Sequence, residues 1–215
     1  MTSRTFLSAV LTFAVAVRVI AGAGEFPKPL KDAAPSAATQ TAVLAGGCFW
    51  GVEAVFEHIK GVNSVVSGYS GGTKESADYE TVSSGKTDHA ETVMIKFDPA
   101  KVSYQQLLFV FFSVAHDPTQ LNQQGPDHGR QYRSAIFYMN DDQKKLAEAF
   151  VKSITDSKAL SNPVVTEIVA FNAFYKAEDE HQDFVKNNPT VDYVVYNDLP
   201  KLKELKKKFP ELYKN

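Results

Sequence analysis

Apolar residues recur along this chain with two periods, one of about two residues and one of about 3.6. Thr41 to Gly46 (TAVLAG) is a short apolar run that predicts a buried strand. From Phe49 to Ile59 the apolar positions Val52, Val55, Phe56 and Ile59 follow the i, i+3, i+4, i+7 spacing of a helix with one buried face. Val62 to Tyr69 (VNSVVSGY) predicts a second strand stopped by the Ser70-Gly71-Gly72 turn, and Glu91 to Phe97 (ETVMIKF) alternates as a third. Ser103 with Gln106 three residues on is a capping-box pattern ahead of the apolar run Leu107 to Ala115. Ser134 to Met139 predicts another strand. Asn140 and Gln143 repeat the cap signal for a helix to about Ile154, Val164 to Ala170 is strand-like, and Lys176 to Lys186 reads as helical, with His181 and Asp183 on a solvated face. Leu202, Leu205 and Phe209, at helical spacing within and beyond the basic run Lys201 to Lys208, predict a terminal helix docked on the domain. Strands and helices alternate without an internal repeat. The fold expected is α+β, a two-layer α/β sandwich with a mixed sheet and a ferredoxin-like core.

Two stretches carry no such pattern: Ser70 to His89, and His116 to Arg133 (HDPTQLNQQGPDHGRQYR), where only Leu121 is aliphatic. Connections above about 12 to 15 residues are uncommon in compact domains unless they build something, so both loops are expected to form a site over the sheet. The N-terminus differs again. Arg4 precedes an unbroken apolar or small run from Phe6 to Val17, followed by Ala21-Gly22-Ala23, which is the arrangement of an export signal and its cleavage site. A membrane-spanning helix needs about 20 apolar residues, and Arg18 interrupts this run too early; an uncleaved anchor is the alternative to cleavage after Ala23. The organisation expected is a signal peptide over 1–23, a Pro-, Ala- and Ser-rich flexible linker over 24–40 and one domain over 41–215, in a protein exported to the periplasm or secreted.

Composition narrows the chemistry. Among 215 residues there are 23 basic and 25 acidic side chains, for a formal net charge of −2, and one cysteine. A single thiol excludes an intrachain disulfide scaffold, and a Cys-rich zinc module needs about four ligands. A near-neutral chain with no strongly basic interior stretch offers no footprint for a nucleic acid. His89, His116 and His128 lack the i, i+3 or i+4 spacing of helix-borne metal ligands, so neither a metal nor a cofactor is expected.

Gly46-Gly47-Cys48-Phe49-Trp50-Gly51 is the sharpest chemical signal. Two glycines let the backbone turn off a strand end and place Cys48 at the start of a helix, where the helix N-terminus favours an anion and is expected to lower the thiol pKa. Phe49 and Trp50 stand where that helix has barely begun and cannot both join one core stripe, so one or both line a pocket beside the sulfur. The alternative is a buried, inert cysteine. Alternation places Glu91 on the face of Val93, Ile95 and Phe97, where burial raises a carboxyl pKa and makes it a proton donor near neutrality; a salt-bridged strand-end glutamate is the alternative. Tyr79 and Tyr132 stand among polar residues of the two long loops, either as phenols aimed into a pocket or as rings packing the loops down.

The segment from Gly46 to Gly72, GGCFWGVEAVFEHIKGVNSVVSGYSGG, resembles the active-site segment of the peptide methionine sulfoxide reductase A family. Asp78 to Pro99 (DYETVSSGKTDHAETVMIKFDP) and His116 to Tyr138 (HDPTQLNQQGPDHGRQYRSAIFY) are similar to its other two signature stretches, in the same order and spacing. The resemblance implies that Glu91 protonates the substrate oxygen with the hydroxyls of Tyr79 and Tyr132 beside it. It also implies that Asp127, otherwise a turn aspartate, helps to hold the environment of Cys48, and that Phe49 and Trp50 hold the terminal methyl. Sulfoxide reduction needs a nucleophile for sulfur and an acid for the departing oxygen, and Cys48 and Glu91 suit those roles. The implied activity is reduction of the S epimer of methionine sulfoxide, free or protein-bound, through a sulfenic acid on Cys48. Many relatives carry further cysteines that resolve the sulfenic acid; here Val191 to Asn215 has none, and Gly51 stands where many place one. An external thiol reductant is therefore expected as partner, whether a thioredoxin-like protein, glutaredoxin or glutathione, and a monomer as the working form. Two other classes stay open at this point: a hydrolase or transferase pairing Cys48 with a histidine such as His89, and a binding module with an inert cysteine.

Overall fold

The computed structural model describes residues 38–215, so the expected signal peptide and most of the expected linker lie outside the described residues. The first strand, β1 (Gln40–Gly46), leads into α1 (Phe49–Glu57) and then β2 (Val62–Ser70), α2 (Tyr79–Ser83) and β3 (Ala90–Phe97). Next come α3 (Tyr104–Val110), the short strands β4 (Gln123–Gln124) and β5 (Asp127–His128), β6 (Ser134–Tyr138) and α4 (Asp141–Ser157). The chain ends with β7 (Glu167–Ala170), β8 (Tyr175–Lys176), α5 (Phe184–Asn187) and α6 (Leu199–Lys208).

Six strands form one sheet in the order β7-β6-β1-β3-β2-β8. Its four inner strands are mutually antiparallel and, with α1 and α3 as the connecting helices, give the βαββαβ order of a ferredoxin-like core. Only the β6–β7 pair is parallel, which makes the sheet mixed. The alternation of β1, β3 and β6 divides the sheet as expected of a strand. Ala42, Leu44, Val93, Ile95, Phe97 and Ile136 meet the helical layer, including Val52, Val55 and Phe56 of α1, Leu107 and Leu108 of α3, and Phe150 of α4. Val43, Ala45, Ala135 and Phe137 face the other way, against Phe171 and Phe174. The terminal helix docks through buried Leu205, and the chain beyond it through Phe209 and Leu212.

The cap signals correspond to real bonds. Ser103 Oγ accepts from the Gln106 N–H at 3.1 Å while Gln106 Oε1 accepts from the Ser103 N–H at 2.9 Å. Asn140 Oδ1 accepts from the Gln143 N–H, and the Gln143 amide then donates to Thr41 O at 2.7 Å, tying α4 to β1. Three expectations are corrected. The apolar run Leu107 to Ala115 is not one α-helix, because α3 gives way to a π-turn over Phe111–Ala115. The two long loops carry their own elements, α2 in the first and the β4–β5 pair in the second. Lys176 to Lys186 is not a helix either: the Ala177 N–H donates to Ser67 O, the Gln182 side chain bonds both the N–H and the C=O of Ser67, and Asp183 adopts φ +52°. Anchoring to β2 and a left-handed residue together break the stretch into a 3₁₀ turn at Asp179–His181 and the single turn of α5.

Candidate active site

The site is built where β1 stops. Gly47 has φ +89°, and a Cβ there would lie 2.5 Å from the Gln124 side chain, so this turn both requires a positive φ and brings the second long loop against the backbone. The turn delivers Cys48 to the N-cap of α1, 8% exposed. The Trp50 backbone N–H favours its thiolate, as a helix N-terminus should, and so does Lys201. Burial outweighs both, and the charges of Glu91 and Asp198 add to it, so the thiol is pushed up rather than down. The expectation of a lowered thiol pKa is corrected on this ground.

Glu91, near the start of β3, is 2% exposed and accepts the Phe49 N–H at 3.0 Å. Its carboxyl is thus fixed to the first residue of the helix that Cys48 caps. Burial pushes it up to about 8 against the opposing effect of the Phe49 N–H, with the Asp127 charge adding to the rise. A carboxyl in that state keeps its proton at neutral pH. The alternative of a salt-bridged strand-end glutamate finds no such partner among the salt bridges of the described residues.

The two loops close over this pair. Tyr79 opens α2, with its N–H bound to Glu178 Oε1 at 2.9 Å; Glu178 Oε2 accepts from the Tyr69 hydroxyl at 2.9 Å. Tyr132 ends a 3₁₀ turn at Arg130–Tyr132 in the second loop. Burial pushes both phenols up, and Glu91, Cys48 and Asp127 act on each of them, so the five chemical residues of the sequence pattern lie within electrostatic reach of one another. Asp127, on β5, accepts a hydrogen bond from the Tyr193 hydroxyl. Burial pushes the Tyr193 phenol up, with the Cys48 and Asp127 charges adding to the rise, so the same ring is coupled to both the thiol and the carboxylate.

Phe49 and Trp50 have separate fates. Phe49 is wholly buried, tilted against Tyr69 and His181. Trp50 is partly exposed, stacks on Phe184 at 3.7 Å between centroids and meets Tyr193 edge-on. Its indole N–H donates to His181 Nδ1 at 3.2 Å, and Tyr79 packs on the same imidazole at 4.2 Å. His181 is therefore a wall of the site and not part of a solvated face, a second correction that follows from the missing helix. Tyr193, Glu178, Asp198 and Lys201 are site neighbours that sequence reading does not single out: the first three sit in irregular segments, and Lys201 reads only as one of the basic residues of the terminal helix.

His89 and His116 have structural work. His89 Nδ1 accepts the Gly72 N–H and its Nε2 meets Thr73 O at 2.8 Å. His116 bonds Phe111 O and Ser134 Oγ, and burial pushes it down to about 4. Neither ring has a nitrogen left to serve as a base for Cys48.

Comparison with known proteins gives a consistent answer. The family model described as peptide methionine sulfoxide reductase matches residues 40–213. Among curated relatives, peptide methionine sulfoxide reductase MsrA 2 of Mesorhizobium japonicum is 56% identical over 183 residues, 85% of this chain and 93% of the relative. The protein of that name from Synechocystis is 51% identical over 192 residues, 87% of this chain and 90% of the relative. Among solved structures, reduced Mxr1 from Saccharomyces cerevisiae superposes with a TM-score of 0.65 at 31% identity, covering 71% of this chain and 87% of that one.

Proposed function

The chain belongs to the peptide methionine sulfoxide reductase family, and from that premise we propose how it reduces methionine sulfoxide to methionine and so repairs oxidised proteins. Cys48 attacks the sulfoxide sulfur as the thiolate. Glu91 gives its proton to the sulfoxide oxygen, with the hydroxyls of Tyr79 and Tyr132 beside it and Asp127 acting through Tyr193 on the sulfur's surroundings. The bond between substrate sulfur and oxygen breaks and the hydroxyl passes to the Cys48 sulfur as the newly formed sulfur–sulfur bond breaks, its electron pair returning to the substrate sulfur, so methionine leaves and Cys48 remains as a sulfenic acid. The substrate loses one oxygen and the cysteine sulfur is oxidised by two electrons, so the step balances without a cofactor.

Trp50 holds the terminal methyl from the open side of the aromatic wall, and Phe49, wholly buried, backs that wall. The substrate is the S epimer, free or protein-bound. With one cysteine in the chain, two equivalents of an external thiol return the enzyme: the first condenses with the sulfenic acid to a mixed disulfide and water, the second releases Cys48. That thiol belongs to glutathione, a glutaredoxin or a thioredoxin-like protein. The enzyme works as a monomer after export to the periplasm or beyond the cell, its signal removed near Ala23.

The observation that carries this reading is the bond from the Phe49 N–H to Glu91, which sets a buried, protonated carboxyl against the turn that holds the nucleophile. A hydrolase using Cys48 with His89 or His116 is disfavoured because both rings are bound elsewhere. Incubation with a racemic methionine sulfoxide peptide and dithiothreitol, followed by separation of the epimers, tests it. The S epimer is consumed and the R epimer remains, so conversion stops at about half; consumption of neither epimer, or of both equally, contradicts the reading.

A further inference from the structure

The reaction as written leaves unused a charge pair packed under the catalytic turn. Gly51 lies in the first turn of α1, and a Cβ built on it would meet Asp198 Oδ1 at 2.1 Å and Lys201 Nζ at 2.6 Å. The pair therefore fills the space that any other residue's Cβ would take. Asp198 ends the π-turn Val194–Asp198 and is fully buried. Lys201 follows in the first turn of α6, its side chain 19% exposed, with Nζ 3.4 Å from Asp198 Oδ1. Asp198 Oδ2 has no hydrogen-bond partner among the described residues.

A buried carboxylate with one long ion pair and one bare oxygen is a poor way to stabilise a fold, since desolvation of the charges opposes their attraction. An apolar pair of similar volume would pack this helix junction as well. What the charges have is position, against the turn whose N-cap is Cys48. We propose that Asp198 and Lys201 are positioning residues for sulfoxide reduction, a charge pair packed through Gly51 against the first turn of α1 that sets the reactivity of Cys48 at the N-cap of that turn.

The surroundings agree with that role. Of the charges that act most strongly on the thiol, Glu91 and Asp198 oppose ionisation and Lys201 favours it. From the other elements around the sulfur, Asp127 of β5, Tyr79 of α2, and Tyr132 and Tyr193 of the loops complete the titratable set. Lys201 also faces His116, which is uncharged at neutral pH because burial keeps it low. Asp198 is itself pushed up by burial and by Asp127, and pulled back by Lys201. Opposed charges at one turn make the sulfur's reactivity depend on the balance between them, and Gly51 is the residue that lets both approach.

The inference rests on Cys48 as the nucleophile, and it is tested without any sulfoxide present. The full chain and its Lys201→Met, Lys201→Arg and Asp198→Asn variants are alkylated with iodoacetamide between pH 6 and 10, and the pH midpoint of Cys48 reactivity is read for each. The fluorescence of the single tryptophan, Trp50, stacked on Phe184, reports that each variant is folded. Lys201→Met raises the midpoint by about one unit and slows alkylation at pH 8 about tenfold, Lys201→Arg restores it, and Asp198→Asn lowers it. If one variant fails to fold, the direction of the other decides. Midpoints that do not move, or that move the same way in both charge-removing variants, overturn the proposal. Wild-type sulfoxide reduction alongside unmoved midpoints sinks the charge pair alone. Moving midpoints in a chain inert to sulfoxide leave the pair's action on the thiol standing and remove the reductase reading.

Discussion

Cys48→Ser abolishes sulfoxide reduction and leaves the fold intact. A hydroxyl is a far weaker nucleophile toward sulfur than a thiolate, and the His89 and His116 rings are both committed elsewhere. Structurally the change is mild. Serine is among the best N-cap residues, and Cys48 occupies the N-cap of α1. Methionine release in the presence of dithiothreitol falls to background while the thermal midpoint stays within a few degrees of wild type. Turnover comparable to wild type in that variant would mean that another group attacks the substrate.

Glu91→Gln lowers turnover by about 10² to 10⁴, the usual contribution of a positioned acid. The amide keeps a carbonyl oxygen to accept the Phe49 N–H and keeps the shape of the side chain, so what is lost is the proton. The pH dependence has a definite sign. The Glu91 carboxyl holds its proton up to about 8, and wild-type activity falls as pH rises past that value because the acid form disappears. Cys48, whose pKa is raised, must move the other way and lose its proton. Opposite demands on the two groups give a bell-shaped kcat/KM profile with a narrow top. The deficit of the variant is largest below about pH 8, where wild type still has its acid, and narrows above it. A profile of kcat/KM against pH checks this, and an unchanged rate throughout would reassign Glu91 to structure.

How much of this was legible from residues alone depended on whether a pattern existed to be read. The strands β1, β2, β3 and β6 and the cap at Ser103 were legible because apolar periodicity and side-chain caps are local. Glu91 was legible because alternation on one strand fixes which face a residue takes, and that face turned out to be buried. The state of Cys48 was not, because a local rule about helix N-termini was overruled by burial, with two carboxylates from β3 and the C-terminal segment adding to it. The stretch from Lys176 to Lys186 failed for a similar reason: its composition suits a helix, but hydrogen bonds to Ser67, more than a hundred residues earlier, hold it to the sheet edge. His181 and Tyr193 reach the site only through those tertiary ties, and nothing in their sequence neighbours marks them. The resemblance to a family located Tyr79, Tyr132 and Asp127, which residue patterns alone left undecided between pocket and packing.

The central claim is that one thiol both performs the reduction and stores its oxidising equivalents until an outside reductant removes them. Mixing the enzyme with excess methionine sulfoxide, without any reductant and with dimedone present, measures that directly. The account predicts about one equivalent of methionine per chain and a protein mass raised by one dimedone adduct on Cys48, because no second cysteine exists to capture the sulfenic acid. Two equivalents of methionine, or one equivalent with Cys48 left unmodified and in no disulfide or sulfenamide, would contradict it.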